Sequence, residues 1–381
     1  MKEAVIVAAK RTAFGKFGGT LKHIEPEMLL KPLFQHFQSY YPEAMAKVDD
    51  VILGNVVGND GNIARKSLLE AGMSKSIPGV TIDRQCGSGL DAVTTACRMI
   101  QAQAGSIYIV GGVESTSRAP WKIQRPQSVY DAPTPAFFER ASFAPEGQDV
   151  SMIEAAENVA QRYNISRQAQ DEYAWKSHQK TIASYEQDII SREIIPVKAK
   201  TTIFQQDESV KSRLTPALLG RLKPLLTDGT VTAGNSCMKN DGAGLALIME
   251  KEMAVAMGIK CGMLYRDAVT TGVDPILLGI GPVPAVSQLL KRQKLNIEDI
   301  SAIELNEAFS SQVLASINEL HLGLDKVNQW GGAIATGHPY SASGATLVAR
   351  LLNLPNWQYG IATMGIGGGM GNAVLFEKWC Q

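Results

Sequence analysis

The chain resembles itself at a fixed offset, and the place where the offset breaks constrains the fold most. DDVILGNVV (49–57) resembles DISAIELNEAF (299–309), each running from acid through an apolar strand to Asn55 or Asn306. SGLDAVTTACRMI (88–100) resembles SGATLVARLL (343–352), and IYIVGG (107–112) resembles IATMGIGG (361–368), all displaced by about 250 residues. GLALIMEKE (244–252) and GNAVLFEKW (371–379) also match, but at 127. Such self-similarity means duplicated supersecondary units. The shortened offset means that residues near 118–240 are an insertion in the first copy. RAPWKIQRPQSVYDAPTPAFF (118–138), rich in proline and turn formers, suits a loop excursion, and helical periodicity follows near 151–163 and 167–187.

Each copy alternates apolar strands with helical patterns, the signature of α/β units with a mainly parallel sheet. Two such units about a pseudo-twofold axis would bury helices between two sheets. The starts of matching helices would then meet near the axis. A chain of 381 residues accommodates this in two or three domains. The expected division is 1–117 with 241–260 as the N-terminal half, 118–240 as the insertion, and 261–381 as the C-terminal half. MKEAVIVAAKRTAFG reads as a first strand, not a signal peptide. The 37 basic and 37 acidic residues cancel, which argues against nucleic acid or an anionic membrane as partner. No 18-residue apolar run exists to span a bilayer. Five scattered cysteines without metal-ligand spacing suggest reduced thiols in a cytoplasmic protein.

The reactive groups sit at the helix starts. Cys86, in VTIDRQCGSGLDAV, lies between a strand and a helix, where the helix dipole should lower its pKa and favour thiolate. The alternative is a small buried residue ahead of a helix. His338, in GGAIATGHPYSASGATL, precedes the second Ser-Gly helix as the counterpart of Cys86, and Pro339 holds it out of α conformation. A lone histidine is usually structural, but a Cys–His pair is a recognised way to activate a nucleophile. The other four histidines show no partner in the sequence. In ELNEAF, Asn306 follows a buried strand, where it serves either an oxyanion or water site or a helix N-cap. GIGGGMGNA (365–373) offers no reactive side chain, only backbone able to approach a reacting atom closely.

RQCGSGL, NEAF, GGAIATGHP and GIGGGMGNA, in that order, resemble the thiolase family; GTVTAGNSCMKNDGAG and GIGPVPA extend the likeness over essentially the whole chain. The resemblance implies a five-layer α/β/α/β/α fold with an inserted loop domain that binds coenzyme A, and a homodimer or homotetramer. It implies an acyl-CoA C-acyltransferase of the acetyl-CoA acetyltransferase or 3-ketoacyl-CoA thiolase type, acting on acyl-CoA and coenzyme A with no permanently bound cofactor and no metal. By resemblance, Cys86 is the acyl-thioester nucleophile and His338 activates it. Asn306 holds a water in one oxyanion site, and the amides of Cys86 and Gly367 form another. Cys237 lies near the pantetheine arm and Lys211 near the adenosine end of coenzyme A, and Met152 and Leu278 match acyl-pocket positions. Lys211 is equally a solvated loop charge, and Met152 and Leu278 equally plain core.

One position departs from the family pattern. A second cysteine usually precedes IGGG; here that position is Gly365, which has no acid or base to offer. Losing a general base costs roughly 10²–10⁴-fold in rate. Two expectations follow: a slowed acyltransferase, or a degenerate relative that binds or hydrolyses acyl-CoA without efficient carbon–carbon bond formation.

Overall fold

The computed structural model describes residues 2–58, 61–126, 128, 130, 137–138, 140–200 and 202–381. Part of the proline-rich run expected as a loop excursion, including 131–136, lies outside the described residues. The strands are β1 (Ala4–Arg11), β2 (Gly15–Lys16), β3 (Asp50–Gly54), β4 (Gly79–Ile82), β5 (Ile107–Ser115), β6 (Val197–Ala199), β7 (Thr202–Phe204), β8 (Asn240–Glu250), β9 (Cys261–Gly272), β10 (Ile300–Leu305), β11 (Tyr359–Ile366) and β12 (Met370–Cys380). The helices are α1 (Pro26–Tyr40), α2 (Pro42–Met45), α3 (Ile63–Glu70), α4 (Ser88–Gln101), α5 (Met152–Arg162), α6 (Arg167–Glu186), α7 (Pro216–Leu219), α8 (Lys251–Ala256), α9 (Pro282–Gln293), α10 (Ser310–Glu319), α11 (Ala333–Thr336) and α12 (Ser341–Asn353).

The two copies give matching sheets. β4-β3-β5-β8-β1 forms one and β9-β12-β11-β10 the other, and β1 meets β9 at Val5↔Leu264 and Ile6↔Met263, joining them into one ladder. The expectation of mainly parallel pairing is corrected. Among the described strands only β3–β4, β3–β5 and β10–β11 run parallel, where a helix crosses over; β1, β8, β9 and β12 pair antiparallel with their neighbours. The reason is local. β11 returns directly into β12 through a glycine turn, and direct returns are antiparallel.

α4 and α12 form the middle layer. α4 buries Leu90, Val93, Ala96, Cys97 and Ile100, a helical stripe. α12 is buried from Ser341 to Leu351, as a helix covered on all sides must be. The helices touch backbone to backbone: a Cβ at Gly89 would overlap the Ser341 carbonyl, and one at Gly344 the Leu90 amide. The apolar core accordingly falls into a central layer with α4 and α12 between the sheets, and two outer ones, under α1 and α3 on one side and α9 and α10 on the other.

The chain leaves β5 at Ser115 and returns as β8 at Asn240, and the two strands pair along their length down to Ser115↔Asp241. The long excursion between them carries α5 and α6. It is pinned by buried charge: Arg11 donates to Glu193 (2.6 Å) and to both oxygens of Asp207 (2.7 and 2.9 Å), and Arg350 of α12 donates to Glu193 (2.7 Å). Such a cluster tolerates loss of a member poorly, at about 3–5 kcal/mol. The expectation of five reduced thiols is also corrected. Cys261 and Cys380, opposite each other on β9 and β12, are joined as a disulfide. Their match across the sheet comes from long-range register, which cysteine spacing does not reveal. Among the described residues no helix is long and apolar enough to cross a membrane.

Candidate active site

Cys86 stands on a tight turn between β4 and α4. Gln85 takes a left-handed conformation (φ 48°). Asp83 accepts its amide at 2.7 Å, and Ser88 Oγ accepts the Arg84 amide and donates to the Gln85 carbonyl. The turn hands the chain to the helix at Gly87 and fixes the thiol at its start. The helix dipole does not dominate there, contrary to expectation. Burial, with the nearby Glu114 carboxylate, pushes the Cys86 thiol up to about 12, against hydrogen bonds from the amides of Gly367 and of Cys86 itself. The desolvation of a thiolate outweighs a partial charge at a helix end.

The Gly367 amide comes from the return between β11 and β12. Gly368 and Gly369 have φ of 90° and 77°, open to glycine at no cost. Asn372 Nδ2 donates to the Gly87 carbonyl (3.4 Å), tying this return to the Cys86 turn. The Phe143 ring covers it: a Cβ at Gly367 would meet that ring at 3.4 Å. Gly365 lacks left-handed geometry. A Cβ there would come nearest the Leu278 and Gly279 carbonyl oxygens, both at 3.4 Å, so the backbone itself does not demand glycine.

His338 follows α11 and the left-handed Gly337 (φ 105°). Its amide donates to Met238 O and Asn240 Oδ1, each at 3.2 Å. Nδ1 pairs with Ser343 Oγ at 2.6 Å, and the tautomer that donates there leaves Nε2 able to accept a proton. Burial holds the imidazole down at about 4. Tyr340, at φ 28° and ψ −100°, sets its ring edge-on to His338 at 5.6 Å, and burial and the thiols of Cys86 and Cys237 raise its phenol.

Asn306 and Glu307 lie on the loop after β10. Helix α10 is entered from Phe309, so Asn306 is no N-cap. Its amide donates to Thr363 O (3.0 Å), and its buried Nδ2 has no partner among the described residues. Glu307 accepts from Tyr173 (2.8 Å), Ser177 (2.7 Å), Asn328 (2.9 Å) and the Ile334 amide (3.1 Å), which locks the loop to α6 and α11. Behind Asn306 is a cavity of about 20 Å³, lined in part by Glu304, Asn306, Thr336, Ser343 and Arg350. That is room for one water. Cys237 joins the group: its amide donates to Ala308 O at 3.0 Å, and burial, with Cys86 nearby, pushes its thiol up to about 12.

The remaining candidates are more distant in role. Leu278 lies in the turn 275–280, at its buried end, its carbonyl facing Gly365. Met152 opens α5, whose Asn158 donates to Ile276 O of that turn (3.0 Å). Lys211 is half-buried and its amide donates to His178 Nδ1 at 3.2 Å, so His178 has the partner that its sequence context did not reveal. Sequence reasoning missed Glu114, Ser343, Tyr340 and Phe143. A carboxylate ending the apolar run IYIVGGVES was the available signal for Glu114, which burial pushes up to about 7. For Phe143 there was none.

A neutral thiol, a neutral imidazole and convergent amides on one sulfur form a set suited to nucleophilic acyl transfer. Comparison with known proteins agrees with that chemistry. The family model "Thiolase, N-terminal domain" matches residues 4–252, and "Thiolase, C-terminal domain" matches 260–378. A Staphylococcus haemolyticus protein named "Putative acetyl-CoA C-acetyltransferase VraB" is 76% identical over 381 residues, all of both chains. A Staphylococcus epidermidis protein of the same name is 63% identical over 379 residues, covering 100% of this chain and 99% of its own. The crystal structure of the Bacillus anthracis acetyl-CoA acetyltransferase superposes with a TM-score of 0.93 at 33% identity, covering 99% of each chain.

Proposed function

Because this chain belongs to the thiolase family, we propose that it is an acyl-CoA C-acyltransferase that carries the acyl group as a thioester on Cys86. The observation that carries this reading is the glycine return lying beside the Cys86 turn, tied to it by Asn372 Nδ2 on the Gly87 carbonyl (3.4 Å), with the Gly367 amide favouring the Cys86 thiolate. A backbone donor on a nucleophile's sulfur is placed to receive the oxyanion that forms on the adjacent carbonyl. In the first half-reaction His338 Nε2 takes the Cys86 proton as sulfur attacks the thioester carbonyl. The bond from carbonyl carbon to coenzyme A sulfur breaks, and His338 returns the proton to that sulfur. The amides of Cys86 and Gly367 hold the acyl-enzyme carbonyl. Asn306, whose Nδ2 lacks a protein partner, holds a water for the oxyanion of the incoming thioester.

The substrates are acetyl-CoA and related acyl-CoA thioesters with coenzyme A, and no permanently bound cofactor takes part. The insertion 118–240, set between the halves 1–117 with 241–260 and 261–381, receives coenzyme A, with Lys211 near the adenosine end, Cys237 along the pantetheine arm and Met152 and Leu278 at the acyl end. The enzyme acts in the cytoplasm as a homodimer or homotetramer; the exposed Trp121, Ile123, Phe137 and Phe138 of the insertion favour self-association. Gly365 favours a second reading, an acyl-CoA-binding or hydrolysing protein that loads Cys86 yet forms carbon–carbon bonds poorly. Thiolysis of acetoacetyl-CoA separates the two. We expect slow but measurable thiolysis, abolished by Cys86→Ala and lowered about 10²–10⁴-fold by His338→Ala. Acetoacetyl-CoA left intact by an enzyme that hydrolyses acetyl-CoA would select the second reading.

A further inference from the structure

We propose that the Cys237 thiol is the second proton carrier of this active centre, the group that protonates and deprotonates the α-carbon of the coenzyme A thioester. This rests on the acyltransferase reading above and names the residue that completes it. The main chain at Cys237 is held on both sides by the catalytic loops. Ser236 bridges to Phe309 and Lys239 to His338. The Cys237 amide donates to Ala308 O (3.0 Å), two residues beyond Asn306, and Met238 O accepts the His338 amide (3.2 Å). The Cys86 thiol raises the Cys237 thiol, and both raise the Tyr340 phenol, in keeping with that main-chain placement. Of the three free cysteines only Cys86 and Cys237 are not fully buried; Cys97 lies in the core of α4.

Other groups at the centre are committed. His338 serves the sulfurs of Cys86 and coenzyme A. The Glu307 carboxylate is spent on four hydrogen bonds. Glu114 accepts the amides of Val56 (2.8 Å) and Val57 (3.1 Å). Gly365 has no side chain. Of the groups coupled to the Cys86 thiol, Tyr340 and Cys237 remain, and the variants below separate them.

The steps balance. In thiolysis of a 3-ketoacyl-CoA, the Cys86 thiolate, its proton on His338, attacks the keto carbon. The bond between that carbon and the α-carbon breaks, and the departing enolate takes the Cys237 proton to leave as acetyl-CoA. Incoming coenzyme A gives its thiol proton to the Cys237 thiolate and attacks the acyl group on Cys86. The Cys86 thiolate leaves and recovers its proton from His338. Each thiol ends as it began.

The test uses the full-length protein with Cys237→Ser, Cys237→Ala and Tyr340→Phe. Two rates are measured: loading of acetyl from acetyl-CoA onto Cys86, and exchange of the acetyl-CoA α-hydrogens with deuterium from solvent. We expect both Cys237 variants to lose exchange by about 10²-fold or more while still loading Cys86, and Tyr340→Phe to retain exchange. Exchange within about threefold of wild type in Cys237→Ala, where a base's loss should cost at least 10²-fold, would overturn the assignment. So would parallel loss of loading and exchange in both Cys237 variants, which marks a packing role, or loss of exchange in Tyr340→Phe alone. Wild-type protein that never loads Cys86 would instead sink the acyltransferase reading itself.

Discussion

On the proposed reading Cys86 and His338 work as uncharged partners, and this sets the pH behaviour. Burial raises the thiol to about 12 and lowers the imidazole to about 4. Between those values neither carries charge, and the proton moves only as sulfur attacks. Of the groups that act on the Cys86 thiol, Glu114, raised by burial to about 7, changes charge in the physiological range, and its carboxylate disfavours the thiolate. The loading rate of Cys86 should therefore climb as His338 loses its proton through about pH 4, hold level, and fall through about pH 7 as Glu114 ionises. Glu114→Gln should keep the first inflection and remove the second. A wild-type rate that climbs through pH 8–9, as an ordinary thiol near 8.5 would give, contradicts the neutral pair. Cys86, His338 and the glycine return were legible in the sequence because each sits in a dense local motif. The direction of the thiol shift was not, because it depends on Glu114 and on burial, which come from strands distant in the chain.

The active centre exists because α4 and α12 meet with almost no side chain between them. Gly89 and Gly344 permit that contact, so the turn carrying Cys86 and the loop carrying His338 arrive together at the helix starts. Gly344→Ala forces a methyl group against the Leu90 amide. It should destabilise the protein by about 1–3 kcal/mol, the usual cost of overpacking, and lower activity through misplacement of the helices. Thermal unfolding checks it, and a melting temperature unchanged from wild type would show that the helix interface yields freely. The repeat made both helices and the β11–β12 return readable. Strand direction was less so, because apolar runs do not encode whether a neighbour returns directly or by a crossover. The excursion's helices α5 and α6 fall close to where periodicity put them, whereas its anchoring through Arg11, Glu193 and Asp207 joins residues almost 200 positions apart that no local pattern links.

Across the whole molecule, duplication explains the placement of the chemistry. Two α/β copies face each other, so equivalent helix starts converge and carry different groups, a thiol in one and an imidazole in the other. The final strands of the second copy close through bare glycine, while those of the first are separated by the long excursion that reaches Phe143, α6 and Cys237 toward the same centre. The Cys261–Cys380 pair joins β9 to the end of β12 on the second sheet, and the sequence suggested only free thiols there. The central claim is that this architecture exists to pass an acyl group through one sulfur. Incubating the purified protein with acetyl-CoA and mapping the modified peptide by mass spectrometry tests it most directly. The expected product is a single acetyl group on Cys86, absent in Cys86→Ala and released by added coenzyme A. An unmodified Cys86, under conditions that acetylate a working thiolase, would contradict it.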